Sequence, residues 1–284
     1  MLASLNGEFL PLERAHLHVS DLSIQRGYGI FDFFRVKNFV PLYLEDYLNR
    51  FYGSVETMGL QDVIPREELR SVIHQLISRN KIPDAGMKII FTGGYSADAY
   101  HPEKGNLLVS EHPLTLPTES QVAQGVSIIT YPYRRDIPEV KTINYIMGVW
   151  LQRKVRDAQA ADVLYFQEGL VSEFPRCNFF LVTRNGTVVT PDRFVLQGIT
   201  RMRVLEVARR DFTVEERSVR LEEVYDASEA FMTSTTKGVL PIVKIDNRII
   251  GSGVPGPTTK TLRNQLLRRE EEEIAKSKAM VGIP

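Results

Sequence analysis

A polar stretch punctuated by two prolines, PLTLPTESQVAQG at residues 113–125, separates two different hydrophobic textures. Before it, strand-like and helix-like periods alternate. HLHVS and the aromatic run IFDFFRV read as strands. Leu44, Leu48, Phe51, Val55 and Met58 recur at helical spacing, with Gly59 placed to stop the helix. Leu69, Val72, Ile73, Leu76 and Ile77 give a second amphipathic helix opened by Pro65. MKIIFTGG and NLLVSEH read as two more strands. After the break, VSIITY, ADVLYFQ, NFFLV, TVVTP, EAFMTST and VLPIVKID read as strands, with tight turns at Asn185-Gly186 and Asp246-Asn247. Helices fit residues near 144–158, 199–210 and 257–279, and the break itself has no apolar periodicity. The pattern predicts a mixed α/β (α+β) chain in two domains, residues 1–115 and 116–284.

Composition narrows the function classes. The chain has 284 residues, 43% of them hydrophobic, enough for two packed cores. Its 35 basic residues balance 35 acidic ones, so no global field attracts nucleic acid or an anionic membrane. No segment approaches the roughly 20 apolar residues of a membrane helix, and MLASLNGEFLPLER is no secretory leader, so a cytoplasmic protein is expected. The single cysteine, Cys177, precedes the apolar run NFFLV and reads as packing; no metal site is expected. The acidic run in RREEEEIAK reads as a solvated helical face.

Two residues carry the chemistry. Lys141 in KTINYIMGV and Glu173 in LVSEFPRCNFFLV lie 173 − 141 = 32 positions apart. A lysine amine forms a Schiff base with an aldehyde cofactor, and a carboxylate holds the proton on a pyridine nitrogen, turning the ring into an electron sink. Either residue alone reads blandly: Lys141 follows Arg134, Arg135, Asp136 and Glu139 in a charged loop, and Glu173 follows a hairpin of the form QEGLVSE that puts polar residues on an open face. A third element, Gly198-Ile199-Thr200 in VLQGITRMRVLEVARR, opens a helix whose free amides favour a phosphate, although a plain threonine cap fits too. A fourth, FMTSTTKGVLP, crowds hydroxyls between a strand and a glycine.

With RGYGIFDFFRV, YLEDYLNRFYGSVETMGL, KTINY, VSEFPRCNFFLV, TPDRFVLQGITR and FMTSTTKGVLPIVKID in this order, the chain resembles the class IV aminotransferases, pyridoxal phosphate enzymes of fold type IV. The resemblance implies a small N-terminal α/β domain, a larger barrel-like C-terminal α/β domain, pyridoxal 5'-phosphate as cofactor and a homodimer, to which the aromatic FDFF and FYGS stretches would contribute. It implies that Lys141 carries the Schiff base and shuttles the proton, and that Glu173 partners the ring nitrogen. Arg50, the amides of Ile199 and Thr200, and Thr235 would hold the phosphate. Leu196 would pack on the ring and Tyr145 would donate to its phenolate oxygen. After Glu173 the chain departs from the small residues common in relatives, reading Phe174-Pro175-Arg176-Cys177.

The resemblance further implies an amino acid and a 2-oxo acid as substrates, whose carboxylates an arginine fork suits best. Arg26, Lys88 and Arg176 are the candidates, with Arg26 the better fork and Lys88 a point charge; the alternative for Arg26 is an ion pair with Asp21 or Asp32. The RGYGIFDFFRV and TGGYS neighbourhoods favour D-amino acids. Tyr145 favours the branched-chain L-amino acid alternative, and an aminodeoxychorismate lyase uses the same lysine and cofactor.

Overall fold

The computed structural model describes residues 1–281, which fall into two compact units. The first takes Met1–Leu114, Val140–Asn144 and the described residues from Glu272 onward; the second takes Thr115–Glu139 and Tyr145–Glu271. The segment that contains Lys141 therefore belongs with the N-terminal residues.

The first unit holds strands β1 (Leu2–Leu5), β2 (Glu8–Pro11), β3 (Gly29–Lys37), β4 (Val40–Pro41), β5 (Asp84–Thr92) and β6 (Leu107–His112). Helices α1 (Leu22–Arg26), α2 (Leu44–Thr57) and α3 (Arg66–Asn80) accompany them. The strands form one antiparallel sheet in the order β2-β1-β6-β5-β3-β4. Burial alternates along β3 with period two: Ile30, Asp32, Phe34 and Val36 are buried, whereas Phe31, Phe33 and Arg35 are only partly so. The first set faces α2, which packs on β3, while α3 covers β1 and β6. Phe34 meets Tyr47 of α2 at 5.4 Å between ring centroids, and Phe51 meets Phe91 of β5 at 6.4 Å. Phe34 and Phe51 thus belong to the core, which leaves only the other residues of FDFF and FYGS to contribute to a dimer surface.

HLHVS is not a strand. It runs as a loop in which His18 Nδ1 and Ser20 Oγ lie 2.9 Å apart, and the chain then enters α1 through Asp21, whose carboxylate caps the Ser23 amide.

The second unit holds strands β7 (Val126–Pro132), β8 (Val163–Gln167), β9 (Leu170–Val171), β10 (Asn178–Val182), β11 (Val188–Thr190), β12 (Val214–Glu216), β13 (Val219–Arg220), β14 (Glu229–Ser234), β15 (Gly238–Ile245) and β16 (Arg248–Ile249). They pair in the order β12-β11-β10-β14-β15-β7-β8-β9-β13, with β16 on β15. Its helices are α4 (Glu119–Gln124), α5 (Ile146–Trp150), α6 (Gln152–Asp157), α7 (Ile199–Asp211), α8 (Leu221–Asp226) and α9 (Pro257–Val281), the last continuing past Glu271. On one face of the sheet, Phe180 and Phe231 stack at 4.9 Å and pack with Val204 and Leu205 of α7 and Leu262 and Leu266 of α9. Phe179, Leu181 and Met232 fill the other face with Val224 of α8.

Two expectations fail locally here. The stretch at residues 113–125 contains α4, built on a Thr118–Gln121 capping box and not on apolar periodicity. The single helix expected near residues 144–158 is two, meeting at the buried Leu151.

Two carboxylates lie under the helices of the first unit. Asp32 is fully engaged: Arg50 of α2 donates from Nε at 3.0 Å and from Nη2 at 2.6 Å. Glu111 of β6 accepts from Asn80 Nδ2 at 2.6 Å through one oxygen, but Oε1 has no partner among the described residues. Burial pushes the Glu111 carboxyl up from its ordinary value, against the pull of Asn80. A raised carboxyl binds a proton more readily folded than unfolded, so stability falls as pH rises from the ordinary value of 4.5 through the folded one. Glu111→Gln should raise the urea midpoint near neutral pH, and its advantage should vanish below about pH 4; a constant difference across that range would exclude ionisation of Glu111 as the cause. Asp32→Ala takes the carboxylate from a nearly buried guanidinium and should cost about 3–5 kcal/mol in urea unfolding. A loss below about 1 kcal/mol would show that the pair contributes no more than an exposed one.

Candidate active site

In the first unit, residues 141–143 add to the free edge of β3. The Phe31 amide donates to the Lys141 carbonyl at 2.9 Å, the Ile143 amide donates to the Gly29 carbonyl at 3.0 Å, and Thr142 bridges Ile30. This pairing sets the Lys141 side chain over β3, with Nζ 4.5 Å from the centroid of the Phe31 ring. The register of β3 on β5 places Phe33 opposite Lys88, so Lys88 shares the face of Phe31 and Phe33. Its Nζ lies 5.4 Å from the same Phe31 centroid. Two ammonium groups therefore flank one aromatic ring on the sheet face opposite the helices. Burial, and then the charge of Lys141, pushes the Lys88 amine below its ordinary range. His112 of β6 is pushed down in the same way, by burial and then by Lys88.

Arg50 and Arg26 are placed differently. Arg50 reaches Asp32, and its guanidinium lies 5.2 Å from the Tyr47 ring. Arg26 is exposed at the end of α1 and donates to the Gln25 carbonyl at 2.8 Å. It pairs with neither Asp21 nor Asp32: Asp21 accepts from Ser23, Thr92 and Asn106, and Asp32 from Arg50.

In the second unit, the hairpin of β8 and β9 turns at Glu168 and Gly169, both with positive φ. The Glu173 carbonyl then accepts from the Tyr165 amide at 2.9 Å, and Glu173 bridges Asn178 at the head of β10. Glu173 is buried, not on the open face expected of a polar hairpin residue. Its Oε1 accepts from Arg135 Nε at 2.7 Å and its Oε2 from the Leu196 amide at 2.8 Å. The Leu196 carbonyl in turn accepts from Asn178 Nδ2 at 2.8 Å. The Leu196 backbone is thus fastened from both sides. The bulk after Glu173 closes a tight turn, with the Phe174 amide donating to the Cys177 carbonyl at 2.9 Å. Phe174 and Cys177 are buried and Arg176 is exposed. Burial pushes the Cys177 thiol up, as for a packing cysteine.

The strap from Leu196 leads into α7. Its N-cap is Gly198, which has no side chain to cap the first amides, so Thr200 stands inside the first turn and is not a cap. A Cβ on Gly198 would fall 2.1 Å from Asn178 Oδ1, so only glycine allows this approach. Directly across the ladder from Asn178 is Thr233, whose buried hydroxyl has no hydrogen-bond partner among the described residues. Thr235 lies in the turn between β14 and β15, and Tyr145 is half-buried just before α5. Arg135, Asn178 and Thr233 escape sequence reasoning. Asn178 alone had a signal, as the polar head of an apolar strand.

The sequence model of the family described as amino-transferase class IV matches residues 29–245. D-alanine aminotransferase of Bacillus licheniformis is 30% identical over 283 residues, covering 98% of this chain and 100% of that protein. Branched-chain-amino-acid aminotransferase-like protein 1 of Arabidopsis thaliana is 30% identical over 96% of this chain, which spans 51% of that longer protein. Among solved structures, the T.th. branched-chain amino acid aminotransferase with pyridoxamine 5'-phosphate aligns with a TM-score of 0.89 at 25% identity, over 98% of this chain and 96% of that one. By the extent of these matches, the chain belongs to the class IV aminotransferases.

Proposed function

We propose that this protein is a pyridoxal phosphate-dependent aminotransferase that moves an amino group between an amino acid and a 2-oxo acid, with D-amino acids as the favoured class. The observation that carries the reading is the buried Glu173 carboxylate, held by Arg135 and by the Leu196 amide. The donor set suits the cofactor. An acidic side chain answers a pyridine nitrogen, and the helix start at Ile199 and Thr200, with no side-chain cap at Gly198, answers a phosphate. The Thr233 hydroxyl, across the ladder from Asn178 and without a partner among the described residues, is a further donor.

When bound, the cofactor supplies an aldehyde for imine formation and a ring that accepts the electron pair from the substrate's α-carbon. Lys141 would provide the amine that holds the aldehyde, and the same amine would take up and release the α-proton of the substrate. Glu173 would hold the proton of the ring nitrogen. Leu196 would support the ring, Tyr145 would donate to the phenolate oxygen, and the phosphate would be bound by the amides of Ile199 and Thr200, by Thr235 and by Arg50, which Asp32 orients. For the substrate carboxylate, Lys88 has the strongest support of the three candidates, because it shares the Phe31 ring with Lys141. Arg26 and Arg176 are the exposed alternatives. A homodimer belongs to this reading: Ile146, Val149 and Trp150, at helical spacing on α5, are 69%, 69% and 64% exposed, more apolar surface than a solvated helix usually carries.

The Bacillus relative favours D-amino acids. Tyr145 and the likeness to the T.th. branched-chain enzyme favour branched-chain L-amino acids as the second reading. A half-reaction screen separates them: each amino acid is mixed with holoprotein and bleaching of the visible band is followed. D-alanine bleaching the band at least about tenfold faster than L-leucine supports the first reading, the reverse supports the second, and pyruvate released without an acceptor would indicate a lyase. Lys141→Ala should abolish the band and the half-reaction; near-normal turnover in that variant would remove Lys141 from the chemistry. Lys88→Met should raise KM for the amino acid about tenfold or more with a smaller change in kcat. An unchanged KM would return the carboxylate to Arg26 or Arg176.

A further inference from the structure

Arg135 sits in the sequence as one of several charges in the loop before Lys141, yet it is the member of that loop turned inward. Its side chain is 11% exposed and that of Glu173 is 5% exposed. Nε donates to Glu173 Oε1 at 2.7 Å, and Nη2 donates to the Pro138 carbonyl. The neighbouring Arg134 is exposed, its guanidinium 4.1 Å from the Phe194 ring. Of two consecutive arginines, one serves the surface and the other a buried acid.

A carboxylate removed from water stays ionised only if donors replace the lost hydration. The Leu196 amide supplies a dipole; Arg135 supplies a full charge. Without that charge, the low-dielectric surroundings favour a protonated Glu173, which no longer offers an anion to a protonated ring nitrogen. The guanidinium is also fixed in direction, because its second bond ties it to the turn ending at Pro138.

We propose that Arg135 is the positioning residue of the ring-nitrogen partner, setting the direction of the Glu173 carboxylate and keeping it anionic when the cofactor binds. This rests on the aminotransferase reading. Arg135 acts through Glu173 and touches no reacting atom.

The test uses the holoprotein and two readouts besides turnover: the dissociation constant for pyridoxal phosphate by dialysis, and the pH dependence of the visible absorption band. Arg135→Met should weaken cofactor binding about tenfold to hundredfold and move the pH midpoint of the band by about one unit or more. Arg135→Lys should recover most of the affinity, because it restores the charge without the fork. Arg134→Met, which removes a charge from the same loop, should match the wild type. On a Glu173→Gln background, Arg135→Met should change neither readout further. Should Arg135→Met fail to fold, the Arg135→Gln/Glu173→Gln double variant is compared with Glu173→Gln in its place, and agreement between the two supports the assignment. Wild-type affinity and spectrum in Arg135→Met, or an equal further loss when Arg135 is replaced on the Glu173→Gln background, would overturn the role of Arg135 alone. A wild-type protein that binds no pyridoxal phosphate would instead remove the aminotransferase reading beneath it.

Discussion

Burying the Glu173 carboxylate makes a demand on the whole second unit, because an anion taken out of water must find its donors in the chain. Three separate segments meet the demand. The β8–β9 hairpin delivers Glu173, the loop after β7 delivers Arg135, and the strap before α7 delivers the Leu196 amide. Asn178 fastens the other side of Leu196, and Gly198 gives Asn178 room to do so. The start of α7 inherits its position from these bonds. A helix end without a side-chain cap is usually a weakness; here the same absence leaves amides on hand for an anion.

The first unit divides its labour between the two faces of one sheet. Under the helices lie Phe34, Phe51 and Phe91, with Arg50 and Asp32 neutralising each other among them. On the opposite face two lysines meet at one aromatic ring. Lys88 and Lys141 share the ring of Phe31, and His112 is depressed by burial and then by its nearness to Lys88. A face that gathers positive charge around an aromatic ring suits a small anion with an apolar body, which describes amino acids and oxo acids alike. The period-two alternation of β3 makes this possible, since moving one residue along the strand exchanges scaffold for chemistry.

Much of this was legible from residue order. The runs that became β3, β5, α2 and α7 show plain periodicity, and Lys141, Glu173 and the Gly198-Ile199-Thr200 start are recognisable by chemical type. What escaped depends on distant partners. Nothing in RRD tells which arginine turns inward, because the choice is made by a carboxylate 38 residues away. HLHVS alternates like a strand but finds no neighbouring strand, so hydrogen bonds within its own loop prevail. The α4 segment has no apolar face to betray it and relies on a capping box. The helix before residue 158 is two helices that meet at the buried Leu151, a junction that the periodicity does not mark.

The short run around Lys141 does more than present an amine. By pairing with Gly29 and Phe31 it occupies the stretch of β3 that β4, joined only at the far end, leaves bare. Bare strand edges invite pairing with other molecules and are a common starting point for aggregation. The peptide that carries Lys141 therefore also shields this edge of the sheet. A slip of that peptide would bare the same backbone groups of Gly29 and Phe31 to any passing strand.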